Sequence, residues 1–217
     1  MIFDLEMAKP REIYNLLIGL VAPRPIALIT TMEENGALNA APFSAYNYLC
    51  TDPPIVGIGV ANRPADQPVP KDTARNIGRS GEFVINVVTE DIAQQMNICA
   101  TDFPAGISEL EMANLEAAPS AVVKVPRIAS AHAALECREH TTLEIGRSRI
   151  ILGRVVSIYV DDQYVDPGPY IRAEELHAIG RMNGLGSYVR TRDSFLTIPR
   201  IPYEQWEKRR GEDPQER

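Results

Sequence analysis

The chain is poor in the residues that usually announce chemistry. It holds three cysteines and three histidines in 217 residues. Cys50, Cys99 and Cys137 stand far apart, form no CxxC pair and are odd in number. That usage fits a reduced, cytoplasmic setting better than a disulfide framework. His132, His140 and His177 fall in no HExxH or paired-ligand spacing, so no metal site is expected. There is no GxSxG elbow and no GxxxxGK phosphate loop. Gly57-Ile58-Gly59 lacks the third glycine of a dinucleotide fingerprint. Basic residues are in deficit, 22 against 29 acidic, for a net charge of −7, which argues against a nucleic-acid partner. No run reaches the ~18 uncharged apolar residues of a membrane span. The opening MIFDLEMAKPREIY carries acids where a secretory leader needs positive charge. What the chain does have is 45% hydrophobic residues, enough at this length for one well-buried domain. A single domain over residues 1–203 is expected. The charged stretch 204–217, with Trp206 its one large apolar residue, reads as a frayed tail.

Patterning favours strands. Ile26–Thr31 is short, apolar and β-branched, and Asn35-Gly36 is a strong hairpin turn before a second strand over Ala37–Ala45. Pro42 within that strand demands an edge or a bulge, because proline cannot donate to a ladder. Further strands are read at Ile55–Val60, Glu82–Val88, 131–145 and Ile150–Val160, with a turn at Gly146-Arg147-Ser148. In the 131–145 strand His132 and His140, eight residues apart, would share a face. Helices are read at Pro10–Leu20, Thr73–Arg79, Thr89–Ala100 and Glu109–Leu115. Sequential hairpins with inserted helices point to a mostly antiparallel barrel or sandwich rather than a parallel α/β sheet.

Three stretches carry chemical information together. In the first, Arg24 stands between Pro23 and Pro25, a rigid mount for a guanidinium facing an anion or a carbonyl-rich ring edge. The second, Asn39 to Asn47, is small and polar, so a flat ligand could approach its backbone closely. In the third, Lys71 precedes a short helix opened by Asp72 and Thr73, both good N-cap types. A lysine ammonium, a threonine hydroxyl and free helix N–H groups suit a phosphate. Each stretch alone also admits a plainer reading: a loop arginine, an edge strand packed on another subunit, a surface lysine beside a cap. With no evident nucleophile or acid–base pair, a bound cofactor is the natural carrier of any reaction.

Taken jointly, RPIALITT, NAAPFSAYN with DPP, and KDTARNI followed by GEFVINVV resemble the flavin reductase-like family of FMN-binding split-barrel proteins. That family includes flavoredoxin and the reductase components of two-component monooxygenases. The resemblance covers roughly residues 10–200, and Ala134-Leu135-Glu136-Cys137 and Leu176–Tyr188 fit it too. It implies a mainly β, six-stranded Greek-key split barrel, and a homodimer with FMN at the subunit interface. By motif, Thr30 and Thr31 would lie beside the flavin, and Asn39, Ala40, Ala41, Pro42, Phe43, Ser44 and Ala45 would hold the isoalloxazine and ribityl chain. Lys71, Asp72, Thr73 and Asn76 would hold the phosphate. Arg24 would assist, and His177 and Arg181 would come from the segment closing over flavin or nicotinamide.

The implied reaction is hydride transfer from NADH or NADPH to flavin N5, with electrons passed to an acceptor or a partner oxygenase. No protein acid or base is needed for that step, and no catalytic side chain is assigned. Two-electron chemistry at a bound ring needs proximity, stacking and groups that stabilise negative charge. A non-enzymatic FMN electron carrier is the alternative. A cofactor-free barrel serving as an interaction module, or a haem or pyridoxal-phosphate barrel, are more distant ones.

Overall fold

Hairpins build the sheet of this computed structural model, which describes residues 1–63, 69–104, 106–184, 186–192 and 195–212. The Asn35-Gly36 turn, with Gly36 at φ 88°, joins β1 (Ala27–Met32) to β2 (Leu38–Phe43), so Met32 faces Leu38 and Ala27 faces Phe43. Next come β3 (Tyr46–Thr51), β4 (Pro54–Ala61), β5 (Glu82–Val87), β6 (Ala133–Ile145) and β7 (Ser148–Val160). They form one antiparallel sheet in the order β2-β1-β5-β6-β7-β4-β3. Its two edge strands, β2 and β3, are chain neighbours joined only by Ser44 and Ala45. A sheet with such edges must curl on itself. The Gly59 amide donates to the Ala45 carbonyl at 2.7 Å and ties the junction to β4.

The mainly β, split-barrel class stands, with seven strands in the sheet rather than six. The seventh, β3, is exposed along both faces, so its sequence (YNYLCT) lacks the alternation that a half-buried strand shows. Pro42 lies on an edge strand, where its missing N–H costs no ladder bond.

The inner core holds Ile29, Ile58, Phe83, Ile85, Cys137 and Ile151, with Ala74 and Ile77 of α2 (Asp72–Ser80) plugging it. Gly153 is required there, since a Cβ would stand 2.3 Å from Phe83 Cζ. β1 is buried on both faces, because α3 (Ala93–Ile98) and α4 (Glu109–Met112) cover its outer side with Met96 and Leu110 against Leu28. The helix expected over Thr89–Ala100 is split, a 3₁₀ turn at Glu90–Ile92 preceding α3. By contrast α1 (Pro10–Leu20) buries no residue completely. A last hairpin pairs β8 (Ile179–Arg181) with β9 (Tyr188–Arg190), and α5 (Ala173–Leu176) precedes it. A helix, α6 (Tyr203–Glu212), runs through most of the charged tail, while residues 213–217, like Leu185, lie outside the described residues.

Two polar groups, one buried and one half-buried, fix loops to this frame. Glu136, 2% exposed, accepts from the amides of Ala121 (2.7 Å), Val122 (2.7 Å) and Val123 (3.1 Å). Burial opposes its ionisation, but those donors and the Ser157 hydroxyl outweigh it and hold the carboxyl below the usual range. His132 does not share a strand face with His140. It precedes β6, and a bulge that inserts His140 itself between Glu139 and Thr141 breaks the two-residue period between them. Its ring instead bridges two aspartates, Nδ1 to Asp161 at 2.7 Å and Nε2 to Asp91 at 2.9 Å. Burial lowers its pKa, yet the Asp161 and Asp91 bonds outweigh burial and raise it.

Glu136→Ala is expected to destabilise the protein by about 3 kcal/mol, because three buried amides lose a charged acceptor. Urea unfolding at neutral pH checks this, and Glu136→Gln is expected to recover part of the loss. Folding favours the protonated form of His132, so its contribution is complete below its unfolded value of about 6.5 and fades as pH rises through the raised folded value. Thermal unfolding of the parent is therefore expected to weaken across that window more than that of His132→Gln.

Candidate functional site

Two cavities meet on the open side of β2, with Pro42, Phe43 and Ala100 in the walls of both. The larger, about 430 Å³, extends to Arg24, Arg181 and Tyr188. The smaller, about 260 Å³, extends to Arg63, Lys71 and Thr73. Together they make one groove, with arginines as the charged lining of the larger end, mixed charge at the smaller (Arg63 and Lys71 beside Asp72, Asp102 and Glu109), and an apolar middle of Pro42, Phe43, Met96 and Ala100.

The smaller end is built by the start of α2. The helix begins at Asp72 with Lys71 as N-cap, one residue earlier than expected, and no side chain caps it. The Thr73 hydroxyl donates instead to Asn39 Oδ1 at 3.1 Å. The first amides of α2 therefore lack side-chain acceptors and point at the groove's end. Asp72 is neutralised by ion pairs with Arg63 and Arg75. Glu109, also in the wall, is held by Asn39 Nδ2 (2.9 Å) and the Ala40 amide (3.2 Å). Lys71 has no carboxylate partner among the described residues, which leaves its ammonium to an incoming anion.

The wall between the ends is a hydrogen-bonded panel. Asn76 Nδ2 donates to Thr31 Oγ1 (3.1 Å), and Thr31 and Thr73 both donate to Asn39 Oδ1. These groups are buried and satisfied, so they stiffen β1, β2 and α2 against one another. Cys99, beside them, is not a nucleophile. Burial and the Glu109 carboxylate push its thiol to about 12.

At the larger end Arg24 is a clasp. Its guanidinium donates to the carbonyls of Ile18 (2.8 Å), Val21 (2.7 Å) and Met182 (2.7 Å) and to Ser44 Oγ (3.3 Å). Its backbone also pairs with Arg181 in both directions, at 2.9 and 2.8 Å. One side chain thus ties α1, the β2–β3 junction and the β8–β9 hairpin. The Arg181 guanidinium lies over the Tyr188 ring, 4.6 Å from its centroid.

The structure brings most of the sequence-chosen residues together. Arg24, Asn39, Ala41, Pro42, Phe43, Ser44, Lys71, Asp72, Thr73 and Arg181 line the groove. Thr30, Thr31, Ala40 and Asn76 stand behind the wall, and the Thr30 hydroxyl donates to the Pro126 carbonyl at 2.7 Å. Ala45 sits at the sheet junction. His177 lies apart from the groove, exposed at the end of α5 in a left-handed conformation, φ 51°. Sequence reasoning missed Tyr14, Arg63, Asn97 and Glu109. Asn97 and Ala100 were detectable as the neighbouring face of the Ile92, Met96, Cys99 helical stripe.

Arg24→Ala is expected to release α1, seen as faster proteolysis within residues 10–21, and to cost about 2 kcal/mol through three unpaired carbonyls. Arg24→Lys is expected to restore little, because an ammonium cannot span the fork.

A sequence model of the flavin reductase like domain matches residues 20–177. The chain is 42% identical over 212 residues to an uncharacterized protein of Deinococcus radiodurans, covering 95% of this chain and 92% of that one. Among solved structures it is similar to nitrilotriacetate monooxygenase component B of Bacillus cereus, with TM-score 0.85, 30% identity, and coverage of 91% of this chain and 98% of that one. It is likewise similar to the Pseudomonas fluorescens 2-nitrobenzoate 2-nitroreductase NbaA, with TM-score 0.84, 34% identity, and coverage of 93% and 98%. With that match laid over the barrel and its groove, the chain belongs to the flavin reductase-like family.

Proposed function

We propose that the protein is an FMN-binding oxidoreductase that accepts a hydride from NADH or NADPH on bound flavin and delivers the electrons to an acceptor or partner oxygenase. The observation that carries this reading is the groove itself, with a lysine that has no carboxylate partner among the described residues and uncapped helix amides at one end, and a small-residue wall in the middle. When bound, FMN would supply the two-electron chemistry at its ring. The residues present fit that group. Lys71 and the first amides of α2 suit its phosphate, and the Ala41–Ser44 backbone offers a shallow surface for a planar ring. The Asn39–Thr31–Thr73 panel keeps that surface rigid, and Arg181 places positive charge where an electron-rich ring would gain from it. Cys99, with its raised pKa, is left inert, in keeping with a scaffold that positions rather than reacts.

A homodimer supports the same reading. β3 exposes Tyr48 and Leu49, and α1 exposes Leu17 and Leu20, apolar surface beside the groove that a second copy would cover. An oxygenase partner draws support from the similarity to a monooxygenase component. A cytoplasmic setting accords with three unpaired cysteines. Among the described residues no helix is long and apolar enough to cross a membrane. The flavin domain is taken as residues 1–203, with 204–217 outside it.

The purified protein is expected to be yellow, and anaerobic NADH or NADPH is expected to bleach its oxidised-flavin absorbance. A yellow protein that neither nucleotide bleaches would make it a carrier served by a protein donor. A colourless protein that ignores added FMN would remove the cofactor altogether. Lys71→Ala is expected to weaken FMN binding by about 1–3 kcal/mol, measured by flavin fluorescence titration.

A further inference from the structure

A third cavity, about 510 Å³, opens from the larger end of the groove. The two share Tyr14, Ile18, Arg181, Asn183 and Gly184 in their walls, so they are continuous. The additional walls come from α1, chiefly Arg11, Asn15 and Gly19. Its charged lining is two arginines and no acid. Neither Arg11 nor Arg181 has a carboxylate partner among the described residues. Each instead lies over a tyrosine ring, Arg11 at 5.9 Å from the Tyr14 centroid and Arg181 at 4.6 Å from that of Tyr188.

Two guanidinium groups with no carboxylate beside them give the cavity a positive rim that an anion would complement. The walls between them carry little bulk. Nothing lies within 4 Å of where a Cβ on Gly19 would stand, and one on Gly184 would only touch Ile18 Cδ1, at 3.5 Å. The Tyr14 ring and the Ile18 side chain offer apolar faces for a planar body. Apolar walls of little bulk with a paired cation at the rim match a planar organic acid better than a compact inorganic anion.

We propose that this cavity is a second-substrate subsite that takes an aromatic carboxylate, its carboxylate held by Arg11 and Arg181 and its ring lying along α1 toward the groove. The inference rests on the flavin reading for its placement beside a redox centre, while the anion site itself depends only on α1 and the β8–β9 hairpin. Arg11 lines this cavity and not the flavin groove, so it separates the two.

Benzoate and its neutral isostere benzamide, titrated calorimetrically into the FMN-supplemented protein, test the idea. Benzoate is expected to bind at least tenfold more tightly than benzamide. Arg11→Gln is expected to weaken benzoate about tenfold while leaving flavin affinity at the parent level. Arg11→Lys is expected to retain part of the benzoate affinity, which excludes misfolding as the cause. Equal binding of benzoate and benzamide, or an Arg11→Gln variant that binds benzoate like the parent, would overturn the proposal. So would an Arg11→Gln variant that raises only the KM for NADH or NADPH, since the arginine pair would then serve a dinucleotide pyrophosphate. A protein that binds benzoate in this way but no FMN would sink the flavin reading and leave the anion subsite standing.

Discussion

The governing constraint is a sheet that must close but cannot seal. β2 and β3 are its two edges and are also chain neighbours, so the curl brings them together. Pro42 then denies β2 a donor on its outer side, and the chain turns at Ser44-Ala45 before β3 begins. What is left is a seam with exposed backbone and small side chains. α3 and α4 cover β1 and part of β2, and the groove runs between them and the seam. A fully sealed barrel of this size would fill its interior with side chains and present no such surface.

An open seam puts polar backbone and hydroxyl groups near solvent, and the chain ties nearly all of them up. Thr31, Asn39, Thr73 and Asn76 satisfy one another, and Glu109 accepts from the remaining Asn39 and Ala40 donors. Asp72 is matched by Arg63 and Arg75. Lys71, Arg181 and Arg11 have no carboxylate partner among the described residues, whereas Asp72 is paired and Glu109 accepts from neutral donors. A chain of net charge −7 thus has arginines as the charged lining at the larger end of the groove, Arg24 and Arg181 extended by Arg11. Global charge weighs against a nucleic-acid partner but says nothing about this local arrangement.

Much of this was legible in the residues. The hairpin at Asn35-Gly36, the edge position of Pro42 and the helix over Pro10–Leu20 follow from turn chemistry and from proline's missing donor, which act locally. Lys71 could be placed at a helix start because capping is also local, although the start moved by one residue when Asn39 claimed the Thr73 hydroxyl. What could not be read was set by distant partners. β3 is a strand because β4 pairs with it, not because its own sequence alternates. Thr30 and Thr31 lie on opposite faces of β1, and their hydroxyls bond the Pro126 carbonyl and Asn39 Oδ1, partners that the motif itself does not name. The His132 bridge joins segments 41 and 29 residues away, a distance over which no periodicity speaks. The bulge that inserts His140 into β6 also shifts the parity that would have aligned the two histidines.

The scaffold's reactive groups are quenched, and its rigid and its loosely packed parts lie on different sides of the groove. Cys99 is protonated far above neutral pH and the hydroxyls of the wall are consumed, so rigidity is concentrated on one side of the groove. The opposite side is α1, which buries no residue and is held at its end by Arg24. Because the same guanidinium grips Met182, and the Arg24 backbone pairs with Arg181, the helix and the hairpin move together or not at all. Local opening is favoured where buried contacts are few. Opening at α1 would therefore widen the groove without disturbing the barrel core or the start of α2. Arg24 thus holds α1 and the β8–β9 hairpin in register, with its own side chain already committed to four acceptors.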